Sequence, residues 1–165
     1  MIRARAAEAG DRDFLAAMLV EAINWDPAGQ PLSPLVILSI PQNARYIEGW
    51  PRTGERGLVA TDERGRPVGA AWFRCLPKDA PGYGFIGEDI PEVSIGVVER
   101  RRGQGVGTRL LTELHDAARD AGITALSLSV EDGNPARRLY ERLGYAVVRR
   151  AGDSTVMRLD LERPG

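Results

Sequence analysis

The chain has little of what several kinds of chemistry require. Its 165 residues include one cysteine and one histidine. A lone thiol, Cys75, closes no internal disulfide. With His115 as the only imidazole, no structural zinc site can be built, and no metal is expected. Cys75 reads as a small apolar filler in or beside a strand. His115 lies among polar neighbours in a helical pattern and is expected to be exposed and without a role. No apolar run is long enough to span a membrane, and the N-terminus lacks the apolar core of a signal peptide. A cytoplasmic, reducing location and no membrane partner are therefore expected. Net charge is scarce too: 22 Lys and Arg against 23 Asp and Glu leave −1. A general nucleic-acid binder carries a strongly basic face, so no nucleic-acid partner is expected. The positive charge that exists is almost all arginine.

What is present is a pattern for one domain, 1–165. A strand at Ile2 to Ala6 leads into a helix that Asp11 or Asp13 can cap, with Phe14, Leu15, Met18, Leu19 and Ala22 on one side. Residues 25–56 are broken by five prolines; short helices are expected near Leu35 to Ile40 and Gln42 to Glu48. Strands Leu58 to Thr61 and Val68 to Arg74 form a hairpin about Asp62 to Arg66. A Gly/Pro-rich loop precedes a strand from Glu92 to Val98. Along it Val93, Ile95 and Val97 share one face, and Glu92, Ser94 and Gly96 the other. Val106, Leu110, Leu114, Ala117, Ala118 and Ala121 recur at helical spacing, and Gly122 stops that helix. "TALSLSV" is a strand. "NPARRLYERLG" is a short helix with Asn134 as N-cap and Pro135 at its first position. Strands near Ala146 to Arg149 and Thr155 to Leu161 close the chain. The order predicts an α/β (α+β) fold: a mixed, mostly antiparallel central sheet with helices on both faces.

Between the Glu92 strand and the long helix stands "RRRGQGVG", three alternate glycines behind an arginine block. The first turn of a helix carries N–H groups without partners and the positive end of its dipole. Glycines let such a backbone approach phosphate oxygens. Each N–H to a charged oxygen contributes about 1.5–3 kcal/mol, which outweighs screened surface arginines. The main chain of residues 102–108 is thus the expected phosphate holder, with the arginines as outer contacts. No lysine follows the glycines, so this is not a nucleotide P-loop. The spacing G-x-G-x-G also differs from the dinucleotide fingerprint.

Arg102-Gly-Gln-Gly105-Val-Gly107, followed by "NPARRLYERLGY", resembles the GCN5-related N-acetyltransferase (GNAT) superfamily. The likeness is close over about residues 92–146. It implies acetyl-CoA as co-substrate, its diphosphate wrapped by Arg102, Gly103, Gln104, Gly105, Val106, Gly107 and Thr108. It implies Asn134 beside the pantetheine arm, although Asn134 stands six residues before the tyrosine where the family commonly has seven. It implies Tyr140 near the sulfur, donating a proton to the departing thiolate, and an acidic base, here Glu92, acting directly or through water. Glu88 and Asp89 compete for that role. The fold it implies splays the strand near Gly96, where a bulge is expected, so that Ile95 and Val97 bond the pantetheine and the Val97 N–H polarises the thioester carbonyl. The implied reaction is direct transfer of acetyl to the amine of a small molecule or a protein. A non-catalytic acyl-CoA sensor is the alternative, and a homodimer is compatible. The aromatics Tyr46, Trp50, Tyr83 and Phe85 and the acids Glu88, Asp89 and Glu92 are expected to flank an acceptor entrance suited to a cation.

Overall fold

The computed structural model describes residues 1–162; the last three residues of the expected domain, 163–165, lie outside the described residues. Strand β1 (Arg3–Ala6) is followed by α1 (Arg12–Ile23), α2 (Pro34–Ser39) and α3 (Pro41–Ala44). The hairpin is β2 (Arg56–Thr61) and β3 (Pro67–Arg74). Then come β4 (Glu92–Val97), α4 (Val106–Asp120), β5 (Ala125–Glu131), α5 (Ala136–Arg142), β6 (Ala146–Ala151) and β7 (Ser154–Asp160). The seven strands form one sheet in the order β1-β2-β3-β4-β5-β7-β6. β4 and β5 run parallel, joined by the α4 crossover, and the other neighbouring pairs are antiparallel. The mixed sheet and its element order match the sequence expectation. The last helix begins one residue late: Asn134 accepts from the Ala136 N–H at 3.0 Å, and Pro135 takes the cap position.

Each face of the sheet has its own core. On one, Leu110, Leu111 and Leu114 of α4 are fully buried against Leu126, Leu128 and Met157. Burying each such side chain contributes about 1.5–3 kcal/mol. The helix ends as expected, with Gly122 in the left-handed region at φ +77° and the Ile123 N–H donating back to the Ala118 carbonyl at 3.0 Å. On the other face, Leu15, Met18 and Leu19 of α1 pack with Trp72, Val59 and Ala70. Asp11 stands at the start of α1, but its carboxylate turns away to the Glu8 N–H at 2.7 Å and to Arg5.

His115 corrects the sequence reading. It is buried, and its Nε2 lies 2.9 Å from the Tyr145 hydroxyl. Burial pushes its pKa down to about 4, so at neutral pH it is an uncharged core residue. Cys75 corrects it in the other sense: it follows β3 but is exposed.

α1 is seated directly on β4. A Cβ at Gly96 would run into the main chain of Met18, carbonyl oxygen and carbon both. Backbone cannot yield as a rotamer does. Gly96→Ala is therefore expected to cost about 3 kcal/mol, at the upper end for overpacking. For a chain of this size that lowers the thermal midpoint by roughly 6–12 °C. A midpoint unmoved in a calorimetric scan would show that α1 is not seated there.

Candidate functional site

The site begins where two strands part. β4 and β5 share a single register pair, Glu92↔Ser127, with the Ser127 N–H on the Pro91 carbonyl at 2.9 Å. Beyond it they diverge. On its other side β4 stays in unbroken register with β3 from Arg74↔Glu92 to Gly69↔Val97, and the Val98 N–H reaches the Val68 carbonyl at 2.9 Å. Antiparallel pairing alternates, so the even residues of β4 bond β3, and the peptide groups of Val93, Ile95 and Val97 face the split. The expected bulge at Gly96 is absent: the departure of β5 opens the strand, and the glycine is required by Met18 of α1 instead. The Val97 carbonyl accepts from Arg102 Nε at 3.2 Å, while its N–H faces the gap.

The glycine turn adjoins the split. Gly103 (φ +74°) and Gly105 (φ +82°) hold left-handed conformations that side chains rarely adopt. Gly107 has a different reason: a Cβ there would press on Leu139 Cδ2 at 3.2 Å. Among the described residues, no protein acceptor takes the main-chain N–H groups of Gly103 to Thr108; the first helical bond runs from Arg109 to the Gly105 carbonyl at 3.1 Å. Arg102 differs from the expectation in one respect, since its N–H is already held by the Glu99 carbonyl at 3.2 Å. Its guanidinium crosses to Glu21 of α1 at 2.7 Å. Arg101 lies 3.5 Å from Glu63.

A groove of about 950 Å³ joins these parts. Arg102, Gly103, Gly105, Val106, Gly107 and Thr108 line it, as do Ile95, Val97, Asn134 and Tyr140. Two expected site residues do not: the Gln104 side chain turns outward to the Arg100 carbonyl at 3.1 Å, and Glu92 lies behind Tyr46. Tyr140 is buried against the edge of the Tyr145 ring, 5.8 Å between centroids. Burial pushes its phenol up to about 12, so it is a proton donor at neutral pH.

The α1 side of the split is built differently. Glu92 is fully buried; Oε1 accepts from the Tyr46 hydroxyl at 2.8 Å and the Gly84 N–H at 2.9 Å, and Oε2 from the Gly82 N–H at 3.1 Å. Burial raises its pKa above the ordinary carboxylate value, against those three donors. Tyr46 lines the groove and is held from behind: Trp72 donates to its carbonyl at 2.8 Å, and buried Arg74 clasps the carbonyls of Arg45 and Glu48. Tyr83 lies parallel to it, and its hydroxyl donates to Asn43 Oδ1 at 2.7 Å. Of the other expected flanking residues, Trp50 is core and Phe85 is half-buried away from the groove. Glu88 is exposed, its carboxylate 3.3 Å from the Lys78 N–H, and Asp89 borders a separate hollow of about 450 Å³. The acid at this entrance is one the sequence reading passed over, Glu131, which accepts from Trp25 Nε1 at 3.1 Å across the groove.

Comparison with known proteins gives a common picture. The acetyltransferase (GNAT) family model matches residues 21–145. An L-methionine sulfoximine/L-methionine sulfone acetyltransferase of Pseudomonas paraeruginosa is 34% identical over 64% of this chain and 56% of its own length. A mycothiol acetyltransferase of Thermomonospora curvata is 36% identical over 62% of this chain and 31% of its own. The chain thus spans about half or less of the length of these curated relatives. A phosphinothricin acetyltransferase from Sinorhizobium meliloti, solved with acetyl-CoA, superposes with TM-score 0.67 at 22% identity, covering 97% of this chain and 88% of that one. The PaiA N-acetyltransferase of Thermoplasma acidophilum, solved with coenzyme A, gives 0.69 at 17% identity over 97% and 99%. At that distance the likeness is one of fold. No helix among the described residues is long and apolar enough to cross a membrane.

Proposed function

The chain belongs to the acetyltransferase (GNAT) family, and from that premise we propose that it works as a single domain, 1–165, moving an acetyl group from acetyl-CoA directly to an amine. The observation that carries this reading is the row of unpartnered amides from Gly103 to Thr108, opening on the groove that also holds the β4/β5 split and Tyr140. The fit is specific. Unpaired N–H groups at the start of a 15-residue helix suit a diphosphate. The free edge of Ile95 and Val97 suits the amides of a pantetheine arm. Asn134 spends its oxygen on Ala136 and keeps its Nδ2 for a ligand in the groove. Gln104 contributes its N–H, with its side chain outside.

Chemistry follows from the same placement. The Val97 N–H polarises the thioester carbonyl as charge develops on its oxygen. Tyr140 gives its proton to the departing thiolate. Glu92 is the proposed base, reached through Tyr46: the amine proton passes to the Tyr46 oxygen as the Tyr46 proton moves to Glu92 Oε1. The two curated relatives above are named for small molecules, L-methionine sulfoximine or sulfone and mycothiol, and a small-molecule amine is the proposed acceptor class here, with a protein amine as the alternative; a cytoplasmic location accompanies the reading. Calorimetric titration with acetyl-CoA, then thiol release over an amine panel, tests it. Binding with thiol release is expected. Binding without release from any amine would mark a sensor, and no binding would end the assignment.

The base has its own test. Glu92 accepts a proton only when ionised, and burial holds its pKa above the ordinary value. Amine kcat/KM should therefore fall as pH drops through that raised value. Glu92→Gln should remove this acid limb and lower kcat at least tenfold, in the range of a lost general base (about 10²-fold upward when the base acts alone). An identical pH profile in the variant would rule Glu92 out.

A further inference from the structure

We infer that the acceptor carries a second positive charge, held by Glu131 beside Trp25 in the groove that Tyr83 also lines, and is a small diamine or oligoamine. The inference rests on the transferase reading and adds the substrate class. The two faces of the split differ. Leu126, Leu128 and Val130 of β5 belong to the α4 core, so Ser127, Ser129 and Glu131 point to the α1 side. Val93 and Ile95 of β4 likewise turn to α4, leaving Ser94 and Gly96 on the α1 side. The glycine turn and Tyr140 thus serve the α4 side, and an acceptor has the α1 side. Counting in parallel register from Glu92↔Ser127 sets Glu131 level with Gly96, across the gap.

At that level the groove wall is aromatic and acidic. Trp25 comes from the chain after α1 and donates to Glu131 Oε2 at 3.1 Å, and its ring edge lies 3.7 Å from where a Cβ on Gly133 would stand. That bond fixes the carboxylate and leaves Oε1 open. Among the described residues Glu131 has no ion-pair partner. The other groove carboxylates are Glu21, tied to Arg102, and Asp153, which like Glu131 has no ion-pair partner among the described residues, Arg150 being taken by Asp132 at 2.7 Å. Arg45 donates to the Pro81 carbonyl at 2.9 Å and Arg149 to the Phe85 carbonyl at 2.8 Å, and neither pairs with Glu131. A carboxylate oriented by an indole N–H and without an ion-pair partner, beside an aromatic ring, recognises an ammonium. The charge they hold must persist through the reaction. The nitrogen that attacks has to be neutral, so a carboxylate kept in place during transfer holds a different nitrogen.

The test is steady-state thiol release with butane-1,4-diamine and butylamine, alongside calorimetric binding of acetyl-CoA. In the unaltered chain the diamine should have a kcat/KM about tenfold higher, equal to about 1.4 kcal/mol. Glu131→Gln should raise the diamine KM about tenfold to the butylamine value. It should leave kcat, the butylamine KM and acetyl-CoA affinity unchanged; Glu131→Asp should recover part of the preference. Equal kcat/KM for the two amines in the unaltered chain overturns the inference. So does a Glu131→Gln loss that is the same for both, which marks a structural role. Acetylation of butylamine without preference for the diamine sinks only this inference; absence of acetyl-CoA binding sinks the transferase reading with it.

Discussion

Replacing Gly105 by valine is expected to weaken acetyl-CoA binding about a hundredfold and to leave the thermal midpoint nearly unmoved. Gly105 has φ +82°, and a Cβ built there meets nothing within 4 Å. The penalty is therefore one of backbone conformation. A left-handed β-branched residue costs about 1–2 kcal/mol. The turn can relieve that cost only by rotating its peptide groups, which takes N–H groups away from the diphosphate. One lost N–H to a charged oxygen is worth about 1.5–3 kcal/mol. With the strain relieved in this way the fold keeps its stability, and the lost N–H, at the upper end about 3 kcal/mol, is two factors of ten in affinity. Gly10→Val is the control: Gly10 also has open space around it, without the left-handed φ and away from the groove. Calorimetric titration of both variants checks the claim, and full affinity in Gly105→Val would contradict it.

Tyr140→Phe should lower kcat about a hundredfold, the lower range for a lost general acid. The KM for acetyl-CoA and the fold should persist. The ring packs on Tyr145, whereas the hydroxyl makes no hydrogen bond among the described residues, so its removal leaves no orphaned partner. With the phenol at about 12, the acid is protonated across the neutral range and sets no falling limb below that value. Single-turnover kinetics are the appropriate readout, because product release can mask a chemical step. An unchanged single-turnover rate would assign the thiolate's proton to solvent.

Much of this was legible in the residues, for identifiable reasons. Glycine, proline and apolar periodicity are local signals, and they placed every strand and helix within a few positions. The glycine turn could be read because Gly103, Gly105 and Gly107 serve one local shape. Gly96 was misread because its reason is not local: Met18 of α1 arrives from 78 positions earlier in the chain. His115 did carry a signal, since Leu111, Leu114 and Ala118 put it on the buried stripe, but its polar neighbours obscured it. Glu92 reads as an acid at the open end of its strand until Tyr46, Gly82 and Gly84 are seen to close around it. The Trp25 bond to Glu131 joins residues 106 apart and has no sequence signature at all. Local rules thus built the cradle, and long-range contacts built the acceptor side.

The central claim is that main-chain amides at the start of α4 hold the diphosphate. Its most direct measurement is a titration of amide nitrogen–proton resonances with coenzyme A and, separately, with pantetheine. Coenzyme A should shift the Gly103 to Thr108 amides most, and pantetheine, which lacks the diphosphate, should leave them in place. Tight coenzyme A binding with those six resonances unmoved would contradict the account.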